Sequence, residues 1–438
     1  MVQSAEYVEG HKAMKVKGAK NDALAIPKPR PPVVWWAWIG GAWLVFWAYV
    51  LTRWVTGPYF TPVPTGEVPP PTWMHNLFIG MQCFGPVFII LMSYFFVFKP
   101  WRRNRSIPLD GLLFIGFMFF SLQDAGSNYL GVWYTFNSHM FNMGSYYNEI
   151  PGWLGFGRPG AVVPYALLHH PTQYATGMFG FCAIGAWVMN WGRKRFNWGP
   201  VKLCLLMFPF MMLFDLIIEG AFQTLGLYTM AGGKYSFFPN TYEKFPLIEM
   251  PLVAMLCSPV VALRYFKNDK GETLVERGIN SMVMSDWKKQ GMRLLAIIGV
   301  LQCIYLFCYN IPTAMLMGSN PGAWPTDVTS RPYWNDGMCG AGTDRICPGP
   351  GVPLTQYAWV TTLPEGQPVP EENWISRAGE PATGKALSMR GEGLKNPEFS
   401  DGKCRPFNSK FLGYSEDRCD TLFCIEGIKP NIPDWNWW

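Results

Sequence analysis

The apolar run Val201–Leu225 contains the stretch FDLIIEG, which carries Asp215 and Glu219. A spacing of four puts both carboxyls on one face of a helix. A charged Asp at the centre of a membrane helix costs ~3 kcal/mol on insertion scales. Such groups therefore face a bundle interior or a wet cavity and mark function by default. Two neighbouring carboxyls in a dry site cannot both ionise cheaply. One of them, kept as the acid, can donate a proton, while its ionised neighbour serves as base or electrostatic stabiliser. The structural alternative is that the pair only hydrogen-bonds to adjacent helices or meets a basic side chain.

Other polar residues accumulate at the same depth. Gln123, Asp124 and Asn128 close the apolar run Ile107–Leu122, and FPLIEM places Glu249 at the start of the next apolar run after the pair. The loop FNSHMFNMGSYYNEIPGW supplies Asn137, His139, Asn142 and Glu149, and LLHHPTQY supplies His169, His170 and Gln173. Asp215, Glu219, Asp124 and His139 are the candidates for acid–base work. Asn128, Asn137, Glu249, His169 and His170 are the candidates for binding a substrate. Each has a plain reading beside this one. Asp124 can be an interfacial residue ending a span, Glu249 can complement a helix dipole, His139 can have a purely structural role in its loop, and His75, His169 and His170 can be interfacial.

The elements that must position these groups are membrane helices. Charged residues make up only 15% of the 438-residue chain, whereas 16% is aromatic, well below the charge content of an ordinary soluble domain. A bilayer-crossing helix needs ~20 mostly apolar residues. The candidates are Val33–Leu51, Met74–Phe98, Ile107–Leu122, Ala175–Trp191, Val201–Leu225, Pro246–Tyr265 and Leu294–Met317, a seven-transmembrane helix bundle in an all-α membrane protein. Lys and Arg cluster in the first 30 residues, in KPWRRNR, in GRKRF and between Arg264 and Arg293, whereas the alternate loops are poor in them. The positive-inside rule then puts the N-terminus in the cytoplasm and the C-terminus outside, across the plasma (inner) membrane, with the first span as an uncleaved anchor. A six-span bundle with one run buried in protein is the alternative.

Residues 1–32 read as a basic tail ending in PKPRPP, 33–317 as the bundle, and 318–438 as a loop-rich, Cys-containing extracytoplasmic extension. Six cysteines lie in the predicted spans as small hydrophobes. The others, Cys339, Cys347, Cys404, Cys419 and Cys424, fall in the extension, where an oxidising compartment permits disulfides. No cofactor is expected: the chain has no P-loop, other Gly-rich phosphate loop or G-x-S-x-G elbow. No metal is expected either, because the Glu-x-x-His pairs of di-iron bundles and CxxC pairs are missing. No nucleic-acid motif is present, and the net charge of +6 reads as topology.

From about His75 to Asn280 the chain resembles the AveC-type spirocyclase family of bacterial membrane proteins. The resemblance is carried in order by LQDAGSNYL with WYTFNSHMFNMGSYYNEIPGW, then FDLIIEG, TYEKFPLIEM and LRYFKNDKGETLVERG. It implies closure of a dihydroxy-ketone into a spiroketal, with dehydration in some members; the depth of the acids adds a lipophilic polyketide, terpenoid or lipid substrate met from the outer leaflet. It assigns no catalytic residues. On this reading Asp215 and Glu219 supply acid and stabiliser, and Asp124 or His139 the base. NDKGETLVERG, on the cytoplasmic side, reads as a solvated connector or partner contact. The competing function is a non-catalytic subunit of a larger membrane complex, whose Trp-rich end PDWNWW would bind other membrane proteins or a second copy of the chain; a transporter or receptor is a third reading.

Overall fold

The computed structural model describes residues 30–66, 68–155, 163–233, 235–318 and 322–339. Seven long helices carry the fold: α1 (Pro32–Thr56), α2 (Thr72–Asn104), α3 (Leu109–Asn128), α4 (His170–Phe196), α5 (Pro200–Thr224), α6 (Glu249–Tyr265) and α7 (Asp286–Gly318). Three of them, α1, α4 and α5, carry proline at the first or second position, where the ring pre-sets φ and its missing N–H was unpaired in any case. Asn197 stops α4 in the left-handed region at φ 51°, with its N–H on the carbonyl of Arg193.

Among the described residues, five helices, α1, α2, α3, α5 and α7, are long and apolar enough to cross a membrane. The expected spans around Ala175–Trp191 and Pro246–Tyr265 are both helical, as α4 and α6. However, α4 carries Gln173, Asn190 and a basic last turn, and α6 has only 17 residues. Helix α2 buries little but Met74, Phe78 and Gly85 and exposes Phe84, Ile90 and Phe95.

Helix α1 runs along α7, α5 along α6, and α3 packs on both α4 and α7. The α1–α7 crossing is a glycine contact. A Cβ on Gly299 would lie 2.5 Å from the carbonyl oxygen of Trp36, and one on Gly40 would run into the carbonyl of Leu295. Only glycine lets the two backbones meet this closely.

One end of the bundle is capped by loops. The segment between α3 and α4 buries Trp133, Tyr134, Tyr146, Tyr147, Trp153 and Tyr165 in a cluster shared with Trp47 and Trp54 of α1 and with Tyr333 and Trp334 near the chain's last described residues. Two short antiparallel ladders stitch it. β1 (Thr135–Phe136) pairs with β2 (Tyr228–Thr229), with Thr135 opposite Thr229, and β3 (Ser236–Phe237) pairs with β4 (Phe245–Pro246). Thr135 Oγ1 donates to the carbonyl of Trp334 at 2.6 Å. Cys339 is buried here, whereas Cys347, Cys404, Cys419 and Cys424 and the basic tail up to residue 29 lie outside the described residues.

The opposite end is tied by charge. NDKGETLVERG is not a solvated connector: Glu272, Thr273 and Glu276 are buried. Glu272 accepts from Asn268 Nδ2 at 2.8 Å and from the amides of Gly278 and Asn280. Glu276 meets Arg293 of α7 at 2.7 Å, and Arg264 of α6 meets Asp110 of α3 at 2.9 Å.

Candidate active site

Asp124 sits in the 3-10 turn Ser121–Asn128 that ends α3. A ladder of amides fixes that turn. Trp47 Nε1 and Gln123 Nε2 both donate to Gln302 Oε1 at 2.8 Å, Gln302 Nε2 donates to the carbonyl of Phe119 at 2.8 Å, and Asn310 Nδ2 donates to the carbonyl of Gln123 at 2.7 Å. Within α7, Leu306–Asn310 is a π turn, a local widening that often marks functional sites. It follows Tyr305 and carries Tyr309, so both phenols point at the acids.

The Asp124 carboxylate is clothed in donors. Oδ1 accepts from Tyr174 at 2.5 Å and from Tyr305 at 3.0 Å, and Oδ2 accepts from Tyr134 at 2.9 Å. His170 Nε2 lies 3.2 Å from Oδ2, its ring held between Phe136, Tyr165 and Tyr174. Tyr134 in turn reaches Tyr147 at 3.3 Å. Burial, and then the nearby Asp124 charge, push the Tyr134 and Tyr147 phenols well above their ordinary range, so both remain hydroxyl donors. A buried carboxylate is tolerable when its lone pairs are filled in this way.

Asp215, Glu219 and Glu249 are the opposite case. Asp215 is wholly buried and neither of its oxygens finds a donor. Glu249 accepts from Tyr309 through Oε1, while its Oε2 and the Oε2 of Glu219 are shut off from solvent without partners. Asp215 has Glu219 and Glu249 as its electrostatic neighbours, and among the described residues no basic side chain answers the three. Asp124 and Glu219 face a common cavity of about 90 Å³, together with His170, Tyr174, Tyr228 and Tyr305. That volume holds a few waters or one small reacting centre. Among the described residues, no three His, Cys, Asp or Glu side chains converge as a metal-ligand set.

The remaining candidates lie off the cavity. Asn128 accepts the Trp133 amide at 3.1 Å and donates to the carbonyl of Tyr134 at 3.0 Å, fixing the chain reversal after α3. Asn137 donates to the carbonyl of Gly226 at 3.2 Å and accepts from the His139 amide. His139 packs on Tyr333 with ring centroids 5.2 Å apart, and burial lowers its pKa. His169 is buried behind His170; desolvation, then its neighbour, bring it down to about 4, so it is neutral. Glu149 pairs with Arg53 at 2.7 Å. The tyrosines went unread in the sequence, although Tyr305 and Tyr309 stand four apart inside an apolar run, the same signal that marked Asp215 and Glu219.

Residues 101–334 match the family model described as Spirocyclase AveC-like, so the match begins later and runs further than the His75–Asn280 resemblance. No curated protein and no solved structure matches the chain. The donor-filled Asp124 and the poorly partnered Asp215, Glu219 and Glu249 all lie inside the matched span, and the chain belongs to the AveC-like spirocyclase family.

Proposed function

We propose that the protein is a membrane-embedded acid–base enzyme that closes a lipophilic dihydroxy-ketone into a spiroketal, or dehydrates a related polyketide, terpenoid or lipid. The observation that carries this reading is the contrast between two carboxyl groups facing one cavity. Asp124 accepts from three tyrosine hydroxyls, which favour its anion, while Glu219 keeps one oxygen shut off from solvent without a partner and has only the Tyr228 phenol to favour its charge.

In the closure, Glu219 gives its proton to the ketone oxygen while one substrate hydroxyl adds to the carbonyl carbon and passes its proton to Asp124. The tyrosine and carboxyl network returns that proton to Glu219. The hemiketal hydroxyl then takes the Glu219 proton and departs as water, leaving an oxocarbenium ion beside the Asp124 carboxylate. The second hydroxyl captures the cation and gives its proton to Asp124, from which the same network returns it to Glu219. One ketone and two hydroxyls become one spiroketal and one water, with no net change in the protein. Asp215 and Glu249 lie behind Glu219 and exchange protons with it. An aromatic-walled cavity, buried on its α3, α6, α7 and loop-cap sides, keeps bulk water from intercepting the cation.

We place the site at the outer leaflet of the plasma membrane with the N-terminus in the cytoplasm. The basic clusters support this, since the start of α1, the start of α3, the end of α6 and the start of α7 all meet at the end of the bundle away from the site. The test is Glu219→Gln in protein reconstituted in proteoliposomes, assayed by mass spectrometry for loss of one water from a long-chain dihydroxy-ketone. Turnover is expected to vanish while elution and thermal midpoint stay those of the wild type; undiminished turnover rejects the proposal.

A further inference from the structure

The cavity between Asp124 and Glu219 has a direction. Its lining residues on α3, α6, α7 and the loop cap are buried, among them Phe136, Met230, Val253, Cys257 and Tyr305. The lining residues that keep part of their surface exposed lie on α4 and α5, where Gln173, Gly177 and Phe181 face Ile218, Glu219 and Phe222. The seam between these two helices is therefore the mouth. Its walls are open, since a Cβ placed on Gly177 or Gly180 of α4 meets nothing within 4 Å. Below it the seam closes. Phe181 stacks edge-on against Phe214 with ring centroids 4.7 Å apart, and a Cβ on Gly185 would strike Val261 at 2.7 Å and Met211 at 2.8 Å. Outside the mouth α5 presents Leu213 and Ile217, and α4 presents Ile184, all exposed and apolar.

We propose that this seam is a lateral portal through which the substrate enters from the bilayer. Its carbonyl end stops at Glu219 and Asp124, and its apolar chain stays threaded between α4 and α5. The inference rests on the acid–base reading for what happens at the polar end, but the path itself follows from where the lining is exposed. It also reconciles a cavity of about 90 Å³ with a lipophilic substrate: only the reacting centre is enclosed, and the rest remains in hydrocarbon. The chemistry that fits is an amphiphile with a polar ketone or hydroxyl head and an apolar tail.

The probe is a long-chain aliphatic ketone carrying a diazirine near the carbonyl, partitioned into proteoliposomes holding the full chain. After irradiation, adducts are mapped by peptide mass spectrometry with and without excess unlabelled ketone. Adducts are expected around residues 177–181 and 218–222 and are expected to be competed away, whereas those on the lipid-facing surface of α2 near Phe84 and Ile90 are not. Gly177→Trp and, from the opposite wall, Ile218→Trp are each expected to lower the competed labelling about tenfold, as the loss of ~1.4 kcal/mol of binding would. Competed labelling unchanged in both variants, or seam labelling that does not compete, overturns the portal. Glu219→Gln separates the two ideas. Competed labelling at the seam with undiminished turnover in that variant leaves the portal standing and removes the chemistry; lost turnover with labelling elsewhere does the reverse.

Discussion

Replacing Asp124 by Asn removes the charge, and with it the proton acceptor, but little of the packing. Asn keeps one oxygen, which can still accept from Tyr174 and Tyr305. Its amide then faces Tyr134, whose hydroxyl can turn to the Asp124 backbone carbonyl 3.0 Å away. Each bond that loses its ionic partner weakens by about 1 kcal/mol. Against this, the buried ion's desolvation penalty of several kcal/mol disappears, so the fold is expected to persist. Catalysis is different. A cationic centre about 4 Å from a carboxylate gains about 4 kcal/mol at an effective dielectric of 20, which is roughly a 10³-fold effect on rate. Loss of one preorganised electrostatic group in other enzymes costs ~10²–10³. Asp124→Asn is therefore expected to lower kcat for ring closure by about 10³ while KM moves little, because the charge acts on the cation and not on the neutral ketone. Single-turnover assays on a dihydroxy-ketone in proteoliposomes measure this directly. A folded Asp124→Asn protein that keeps more than a tenth of wild-type kcat would refute the placing of the cation beside this residue.

Two further outcomes concern the scaffold. Lys244 is buried, and its ammonium donates to the carbonyls of Ala231 at 3.0 Å and Ala323 at 2.6 Å with no carboxylate partner among the described residues; burial brings its pKa from 10.5 down to about 8. The folded state therefore gives up this proton before the unfolded chain does, so stability rises as pH climbs from about 8 toward 10.5 and the full penalty of about 3 kcal/mol applies below that window. Thermal midpoints measured from pH 7 to 10 should show this rise in the wild type and not in Lys244→Met; parallel curves would discard it. At the α1–α7 crossing, Gly40→Ala should lower the thermal midpoint through an overpacking cost of about 1–3 kcal/mol. Gly41→Ala, whose added methyl meets nothing within 4 Å, should leave it unchanged, and equal effects would show that the crossing is not backbone-limited.

The helices were legible because apolar length is a property of the chain alone. Val33–Leu51, Val201–Leu225 and Leu294–Met317 each fall almost wholly inside a helix whose ends differ by a few residues, the start of α7 excepted. That start is polar, and its Arg293 and Gln290 bind back to the segment before α3, a long-range contact that no local pattern announces. The acids were legible for a related reason: a carboxyl in an apolar run carries a cost that must be met somewhere, so Asp124, Asp215, Glu219 and Glu249 declared themselves one by one. What answers that cost was hidden. Tyrosine is amphipathic, and in an apolar run it reads as one more ring. Only the fold brings Tyr134, Tyr174 and Tyr305 onto Asp124 while leaving Asp215 bare. Asparagine failed in the opposite sense. Asn128 and Asn137 have the chemistry of a binding group but are consumed by backbone amides and carbonyls of the cap, as loop asparagines commonly are. The proposed division of labour between one ionised and one protonated carboxyl was therefore implicit in four residues that could be read and three tyrosines that could not. This is why the tyrosines, rather than any further acid, decide which carboxyl can stabilise a cation and which can donate a proton.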